Sequence, residues 1–464
     1  MLRCQAQILA VSGVEVKFLR NELPPMLRLA APIAAAELGW MGMSIVDTMM
    51  VGRLPYSADA IGAVSLGSIV FLTMGMFGTG LMLGLDTLVS QAYGAGNIAD
   101  CHHSLVNGFY VSLVATPILQ GMVWLIGNSL WRFGVQPEIL AYAIPYLHAL
   151  DWAMFPLLLY FVLRRYLQSM NRVTPVMLAL ISANFINLLG NWIFIYGHFG
   201  VRAMGPVGSG WATCISRAYL AAVLLAYIVY FEHRHKTGLR AAEARPDWTR
   251  IRKIVRLGLP AASQFTVEVG VFAVVTSLIG RLGAVPLASH QIALNTVSVT
   301  YMVPLGIGSA AAVRVGHALG RKDVDGASHA GWTAMALGAG FMACMAIVLW
   351  TVPEKIVRIY TPDRSVIEAA SQLLFVAAFF QLFDGVQAVT TGALRGTGDT
   401  RTPFLCHLIA YWLIGLPLGY YLCFYRGWGA PGLWTGLCLA LILIGSALLI
   451  FWQRTVRRFA LVAR

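Results

Sequence analysis

The chain has 464 residues, of which 58% are hydrophobic and only 11% are charged, and its mean hydropathy is +0.71. Soluble domains carry about 25% charged residues, so this composition excludes an ordinary soluble fold and indicates an integral membrane protein. The net charge of +13 does not indicate nucleic-acid binding, because the basic residues follow the membrane topology described below.

Apolar segments long enough to cross a bilayer core of about 30 Å recur along the whole chain. They are continuous rather than alternating, which argues against a β-barrel, whose strands are about ten residues long. The sequence therefore predicts an all-α integral membrane fold with about twelve transmembrane helices. In chain order the predicted spans are 26–50, 60–86, 104–128, 141–163, 175–197, 208–231, 257–280, 288–312, 329–352, 366–394, 403–424 and 431–453.

Basic residues are divided unequally between the two sides of the membrane. With these spans, 24 of the 33 lysines and arginines fall on one side and 8 on the other, while Arg217 lies within a span. The positive-inside rule then places both termini in the cytoplasm, and we expect the protein in the inner membrane. The basic surface also attracts anionic lipid head groups, so the lipid bilayer is an expected partner and nucleic acid is not.

Motifs of other protein classes are missing from the sequence. The seven cysteines are scattered and include no CxxC pair, so they predict neither a disulfide framework nor a metal site. There is no P-loop, HExxH or GxSxG motif, so we expect neither an enzyme nor a cofactor. No cleavable signal pattern precedes the first span.

The only long polar connection, residues 231–257, divides the chain into two halves of six spans each. A shift of 228 residues aligns Pro32 with Pro260 and Gly52 with Gly280. Because the shift covers an even number of helices, both copies have the same orientation, as in the parallel repeats of secondary transporters. The predicted organisation is a cytoplasmic leader (1–22), an N-terminal six-helix lobe (23–232), a basic cytoplasmic loop (233–255), a C-terminal six-helix lobe (256–455) and a cytoplasmic tail (456–464).

Two acids stand deep in apolar helices of the second half, Glu268 and Asp384. A carboxylate at this depth costs about 2.5–3.5 kcal/mol, so it usually faces a cavity, a partner or an ion path. Glu268 is 12 residues from Arg256, and Asp384 is 11 residues from Arg395. At about 1.5 Å per residue, both acids lie roughly 17–18 Å from the cytoplasmic surface. This shared depth predicts one ion-coupling site; the alternative is that each acid pairs with an unrelated neighbour.

A third deep acid, Asp47, is expected near two asparagines of the fifth span. Asn187 and Asn191 are four residues apart and therefore share one helix face. A carboxylate beside two amides suits either Na⁺ or a proton. Alternatively, the asparagines only join helices.

Two further acids within spans, Glu37 and Asp151, are less informative. His148 lies three residues before Asp151, which predicts a structural pair, and Glu37 is left without an assigned role. Aromatic residues in the deep spans, including Phe265, Tyr301 and Phe380, would suit flat apolar cations through stacking and cation–π contacts, although each alone is equally explained by packing.

Several stretches resemble the MATE (multidrug and toxic compound extrusion) family, specifically its NorM branch, over residues 22–455. They are SIVDTMMVGRL, NLLGNWIFIYG, SQFTVEVGVFAVV, ASHQIALN, VRVGHALGRKD and FDGVQAVTTGALRGTGDT. The resemblance implies two pseudo-symmetric six-helix lobes with a central cleft. It also implies antiport of cationic, amphipathic drugs and dyes against Na⁺ or H⁺.

The resemblance also implies roles for individual residues. The implied cation-coupling residues are Glu268, Asp384, Asp47, Asn187 and Asn191, so that Na⁺ would bind at the first two or at the last three. The expected substrate-binding residues are Glu268, Asp384, Gln291, Asn295, Phe265, Phe380 and Tyr301. The sequence departs from the family pattern at Phe380, where some NorM proteins have a tyrosine, and at Trp40, where a glutamine is expected.

The sequence thus predicts a monomeric, secondary active multidrug efflux antiporter that works by alternating access. One alternative is an exporter or flippase of a lipid-linked or metabolite substrate, although such proteins usually carry more intramembrane basic residues than Arg217 alone. Another is an integral-membrane lipid-modifying enzyme, which would need a catalytic loop that the sequence does not show. Carboxylates and amides serve both Na⁺ and H⁺, so both coupling ions remain open.

Overall fold

The computed structural model describes residues 2–54, 57–133, 136–239 and 245–462. Within these ranges the chain is helical and contains no strand. Parts of the predicted leader, connecting loop and tail, namely residues 1, 240–244 and 463–464, lie outside the described residues. The α-helices are α1 Leu2–Val51, α2 Ser57–Met82, α3 Gly84–Gly94, α4 Ile98–Gly127, α5 Pro137–Asp151, α6 Met154–Ser169, α7 Thr174–Tyr196, α8 Pro206–His235, α9 Trp248–Gly280, α10 Ala284–Gly320, α11 Val324–Thr351, α12 Pro353–Val357, α13 Arg364–Thr397, α14 Arg401–His407, α15 Leu416–Tyr420 and α16 Ala430–Val462. A 3₁₀ turn (Leu130–Phe133) and two π-helical stretches (Leu408–Gly415 and Tyr421–Tyr425) complete the described elements.

The predicted set of about twelve spans is confirmed. Eleven helical stretches in the described part of the chain are long and apolar enough to cross a membrane, and the bent pair α5–α6 makes the twelfth. The two helices of this pair meet at 43°. Pro156 stands three residues after Ala153, and because it has no N–H it cannot donate to the carbonyl of Trp152. The missing backbone bond accompanies the break in this span, whereas Pro117, Pro260 and Pro304 lie inside helices that remain continuous.

Large apolar side chains face outward along the spans. Val114, Ile118 and Leu125 on α4 are about three-fifths exposed. Ile347 on α11 and Leu413 are exposed to a similar extent. Apolar exposure on this scale would be unfavourable in water, whereas hydrocarbon tails solvate it well. The helix surfaces are therefore suited to lipid contact.

The chain forms two compact units. One, here called the N-terminal unit, is Ala35–Thr266; the other, the C-terminal unit, contains the described residues before Ala35 and after Thr266. The unit boundaries fall within α1 and α9, so each of these helices contributes its first part to one unit and its second part to the other.

The N-terminal unit is held together by two apolar clusters. One includes Leu85 and Leu220, and the other includes Phe71 and Leu158. The Trp40 side chain packs against both clusters, so it joins them in the middle of the unit. This continuous packing fixes the positions of α1, α2, α5, α7 and α8 around the polar groups described below.

In the C-terminal unit, α10 packs closely against α13. At their crossing, a Cβ atom on Gly392 would overlap the backbone carbonyl of Gly308. Small residues permit such close helix approach in a membrane protein, where close packing drives helix association. This crossing sets the position of α13, the helix that carries Asp384.

The internal repeat extends to a matching pair of helix caps. Asn97 accepts the backbone N–H of Asp100 at the start of α4 (3.1 Å), and Asp323 accepts that of Gly326 at the start of α11 (2.8 Å). Both side chains satisfy an N–H that the first turn of a helix leaves unpaired. The third span of each half therefore begins with the same kind of side-chain N-cap.

Candidate functional site

In the N-terminal unit, Asp47 on α1 is joined to α7 and α8. The Asn191 side-chain amide donates to Asp47 Oδ1 at 2.6 Å, and the Thr213 hydroxyl donates to Asp47 Oδ2 at 3.1 Å. The same Asn191 amide also donates to Asn187 Oδ1 at 3.2 Å. The structure thus brings the three predicted residues together: Asn191 makes the short hydrogen bond to Asp47, and the Asn187 side chain adds a weaker interaction with the acid.

This polar group retains hydrogen-bonding capacity. Asn191 Oδ1 and Asn187 Nδ2 are both buried without a hydrogen-bond partner among the described residues. Buried amide groups are normally paired, so an unpaired acceptor near a carboxylate has the chemistry to receive a cation or a protonated group.

A cavity of about 90 Å³ adjoins Asp47 inside the N-terminal unit. Trp40, Phe71, Tyr146 and Arg217 contribute to its walls. The Arg217 guanidinium lies over the Phe71 ring, 4.6 Å from its centroid, and 5.7 Å from that of Trp40. The N-terminal site therefore contains a fixed positive charge as well as an acid.

In the C-terminal unit, the carboxyl groups of Glu268 on α9 and Asp384 on α13 interact electrostatically. Asp384 is buried, and Glu268 Oε2 is a buried oxygen without a hydrogen-bond partner in the described part of the chain. Two carboxylates held together away from water repel each other, so a proton or a cation between them stabilises the pair. The structure thus brings together the two acids that the sequence indicates.

A chain of side chains extends from Asp384 to α14. Gln387, one turn further along α13, donates to Asp384 Oδ1 at 3.1 Å. The other end of the Gln387 amide lies 2.9 Å from His407 Nε2, and His407 Nδ1 lies 2.7 Å from the carbonyl of Pro403. Gln387 and His407 are both fully buried, so this polar chain is shielded from water.

Two tyrosines complete the surroundings of the acids. Tyr301 on α10 and Tyr411 in the first π-helical stretch both interact electrostatically with Glu268 and Asp384. The Tyr411 hydroxyl is buried without a hydrogen-bond partner within the described ranges. The predicted residue Tyr301 therefore does lie with the acids, and Tyr411 joins it.

The remaining predicted substrate residues have other contacts in the structure. Phe380 is buried against Trp434, with ring centroids 6.1 Å apart, and Phe265 belongs to the N-terminal unit, where its ring meets Gly80. The side chains of Gln291 and Asn295 are exposed, and neither forms a hydrogen bond to another described residue. The part of these four residues in substrate binding stays a prediction.

The two less informative acids have different surroundings. Glu37 forms a buried ion pair with Arg164, which accounts for its position in an apolar helix. The pair expected between His148 and Asp151 is not formed: Asp151 Oδ1 is buried without a hydrogen-bond partner, and its backbone carbonyl accepts the Gln120 amide at 3.0 Å. Both residues lie in the last turn of α5, so their spacing on one helix is not sufficient to form the pair.

The sequence interpretation missed several residues of these sites. Gln387 is three residues from Asp384, and Thr213 and Arg217 are four residues apart, so their helical spacing was a usable signal. His407 and Tyr411 have the same spacing in the eleventh span. Nothing in the sequence alone shows that these residues face the acids, because that depends on which helices are neighbours.

Among the described residues, no group of three or more histidines, cysteines, aspartates or glutamates is arranged to hold a metal ion. The oxygen atoms around Asp47 and those of Glu268 and Asp384 are instead of the kind that bind Na⁺ or a proton transiently.

The chain was compared with known proteins. A family model described as MatE matches residues 32–193 and 260–421, two segments separated by the 228-residue shift of the internal repeat. The probable multidrug resistance protein NorM of Brucella suis biovar 1 is 34% identical over 450 residues, covering 96% of this chain and 95% of the relative. The multidrug resistance protein MdtK of Pectobacterium atrosepticum is 35% identical over 432 residues, covering 91% of this chain and 93% of the relative.

The fold has a close counterpart among solved structures. The crystal structure of the eukaryotic MATE transporter AtDTX14 matches with a TM-score of 0.85 at 21% identity, covering 95% of this chain and 99% of that one. At this identity the match supports the fold alone. Together with the family model, which matches more than half of the sequence, and the NorM relatives, it shows that the chain belongs to the MATE family of transporters, in its NorM branch.

Proposed function

We propose that the protein is a secondary active multidrug efflux antiporter that exports cationic, amphipathic drugs and dyes in exchange for Na⁺ or H⁺. The observation that carries the proposal is a pair of acids inside apolar helices: Asp384 is buried, and Glu268 has a buried carboxyl oxygen without a hydrogen-bond partner among the described residues. The names of the NorM and MdtK relatives support export of several drugs. The basic residues concentrated on one side support an inner-membrane location with both termini in the cytoplasm.

The acids can couple transport by competition. A coupling ion and a cationic drug both reduce the repulsion between Glu268 and Asp384, so the two cannot bind there with full affinity at once. If ion and drug favour different conformations, each shifts the equilibrium by its difference in affinity for them. Asp47 with Asn191 and Thr213 offers a second position for the ion in the N-terminal unit.

Ethidium release from loaded cells tests the proposal. Cells that express the protein receive a Na⁺ jump or, separately, a pH jump. Acceleration by Na⁺ alone would identify Na⁺ as the coupling ion, and acceleration by the proton gradient alone would identify H⁺. Release that responds to neither gradient would contradict the proposed antiport and favour a lipid or metabolite substrate.

Variants connect this result to the site. Glu268→Gln and Asp384→Asn should each reduce gradient-driven release to the level of cells without the protein, at normal protein abundance. Glu354→Gln is the matched control, because Glu354 is an exposed acid paired with Arg358 outside the predicted spans. Release at the original rate in both site variants would exclude the two acids from coupling. We expect the protein to work as a monomer, since each proposed ion site lies within one unit of one chain.

A further inference from the structure

A cavity of about 780 Å³ lies between α7 and α8 of the N-terminal unit. Its volume falls within the range of about 300–1,000 Å³ that is usual for ligand cavities. Leu178, Ile181 and Phe185 line it from α7, and Val223 and Tyr227 line it from α8. We call it the α7–α8 groove. The three α7 side chains are between 44% and 68% exposed, so the groove is apolar and open.

The groove has the length of one leaflet of a bilayer. Its lining residues on α7 run from Thr174 to Phe185, an interval of 11 residues that corresponds to roughly 16 Å of helix. This is about half of a hydrocarbon core of about 30 Å. With both termini in the cytoplasm, as proposed above, the end at Thr174 faces the cytoplasm, because four spans precede it. The groove therefore fits a lipid of the cytoplasmic leaflet.

The groove is separate from the ion site proposed at Asp47. Phe185 and Asn187 are two residues apart, which turns their side chains by about 200° to opposite sides of α7. In agreement with this, the Phe185 side chain is exposed and Asn187 is buried. A ligand in the groove therefore contacts the face of α7 that does not carry the asparagines.

Unused polar side chains lie at the cytoplasmic end of the groove. Further in, Ser182 accepts the Tyr219 hydroxyl at 3.1 Å and donates to the backbone of its own helix. At the cytoplasmic end, by contrast, the side chains of Asn171, Arg172 and Thr174 form no hydrogen bond to another described residue. The groove thus combines a long apolar surface with a polar end at the membrane surface.

Arg172 gives this end a positive charge. It is the one charged residue among the described residues that line the groove. Its guanidinium lies over the Phe231 ring, 4.6 Å from the centroid, and stacking of this kind leaves the N–H groups at the guanidinium edge free to donate. The neighbouring acid, Glu232, instead accepts the backbone N–H groups of Thr237 and Gly238 at 3.0 and 3.1 Å. No described acid forms an ion pair with Arg172.

We propose that the α7–α8 groove binds an anionic phospholipid of the cytoplasmic leaflet, with the phosphate at Arg172 and one acyl chain along Ile181 and Phe185. The forked guanidinium matches phosphate oxygens, and the negative charge of this leaflet complements the cation. A zwitterionic lipid covers the apolar wall equally well but has no net charge to attract it to Arg172. The site goes beyond drug export, because it concerns the surrounding membrane and not the cargo, and it rests on the proposed orientation.

Native mass spectrometry of the detergent-purified protein tests the site. The protein is titrated with phosphatidylglycerol, which is anionic, or with phosphatidylcholine, which is zwitterionic, and the dissociation constant of each lipid is measured. Arg172→Gln should weaken phosphatidylglycerol binding about fivefold, which corresponds to about 1 kcal/mol, and should change phosphatidylcholine binding less. Arg252→Gln is the matched control, because Arg252 is an exposed arginine of the same unit that does not line the groove.

Three further measurements test the acyl chain and the fold. Val223→Phe fills part of the groove from α8, so it should weaken the binding of both lipids. Soluble glycerol phosphate carries the phosphate without an acyl chain and should not bind measurably. Phosphatidylglycerol should raise the melting temperature of the wild type more than that of Arg172→Gln, because a ligand stabilises the folded protein that it binds.

Each contrary outcome overturns a defined part of the proposal. Equal losses in Arg172→Gln and Arg252→Gln would show only a general attraction of the basic surface, and unchanged binding in Arg172→Gln would remove the phosphate from this end of the groove. Unchanged binding in Val223→Phe would exclude the acyl chain from the groove. Glycerol phosphate that binds as tightly as the lipid would indicate a phosphate site instead of a lipid site. Since these measurements use neither a dye nor an ion gradient, their failure is distinguishable from a failure of the drug-export function.

Discussion

Asn191 donates one side-chain amide both to Asp47, at 2.6 Å, and to Asn187, at 3.2 Å. The two asparagines are neighbours on one face of α7, but Asn191 makes the short hydrogen bond to the acid and Asn187 interacts with it more weakly. A hydrogen bond to a charged group is worth about 1.5–3 kcal/mol, and one between neutral groups about 0.5–1.5 kcal/mol. The two asparagines are therefore unequal partners of the proposed ion site.

Asn191→Ala should slow gradient-driven ethidium release about tenfold, whereas Asn187→Ala should slow it only about two- to fivefold. The first change removes the stronger hydrogen bond to the carboxylate, and the second removes a neutral acceptor of the same amide and a weaker interaction with the acid. Release rates from loaded cells, normalised to protein abundance, provide the measurement. Equal effects, or a larger effect of Asn187→Ala, would show that the arrangement around Asp47 is not the one that operates during transport.

The buried ion pair between Glu37 and Arg164 should be important for stability. Glu37→Gln leaves the fully buried Arg164 guanidinium without its charge partner, and breaking such a pair costs about 3–5 kcal/mol. We therefore expect a clear loss of thermal stability, measured by circular dichroism of the detergent-purified protein.

A double variant and a surface pair control this measurement. Glu37→Leu combined with Arg164→Met removes both charges and should recover part of the stability, because hydrophobic groups of similar size can replace a buried pair. Glu354→Gln breaks the exposed Glu354–Arg358 pair, whose side chains are 63% and 66% exposed, and should change the melting temperature little. A Glu37→Gln protein as stable as the wild type would mean that Glu37 and Arg164 do not depend on each other.

The number and order of the spans could be predicted because length and apolarity alone decide whether a helix can cross a bilayer. The break between α5 and α6 could not be located in the same way, because Pro156 lies at the break whereas Pro117, Pro260 and Pro304 lie inside continuous helices. The unit boundaries could not be read from the sequence. They fall inside α1 and α9, where the composition does not change, because they depend on which helices each part packs against.

The deep acids were found because a carboxylate is rare and costly in an apolar helix. Asn187 and Asn191 were linked to each other by their spacing on one helix, whereas Gln387 was missed although it lies three residues after Asp384. Thr213 contacts Asp47 from another helix, and His407 contacts Gln387, the neighbour of Asp384, from another helix. The sequence alone does not indicate either contact. Gln291 and Asn295 were predicted to bind substrate. Their side chains are exposed in the structure and make no hydrogen bond to the described residues.

Gln387 should matter for transport because its amide joins Asp384 to His407. Gln387→Ala removes a hydrogen bond to the acid and should slow dye release about tenfold at normal protein abundance. Gln381→Ala is a matched control, since Gln381 is an equally buried glutamine on the same helix that donates to Thr300 at 2.8 Å. A control variant that loses as much activity as Gln387→Ala would attribute the effect to the packing of α13 and not to Asp384.

The crossing of α10 and α13 should tolerate no added side chain at Gly392. A Cβ atom there would overlap the carbonyl of Gly308, and because that atom belongs to the backbone, the two helices would have to separate. Overpacking of this kind costs about 1–3 kcal/mol, so Gly392→Ala should lower the melting temperature of the purified protein. Gly340→Ala on α11 is the control: nothing lies within 4 Å of its Cβ position, and alanine favours a helix by up to about 1 kcal/mol over glycine. Since α13 also carries Asp384, Gly392→Ala should slow dye release as well, whereas Gly340→Ala should not. A stable and active Gly392→Ala protein would contradict the close helix crossing that positions the acid.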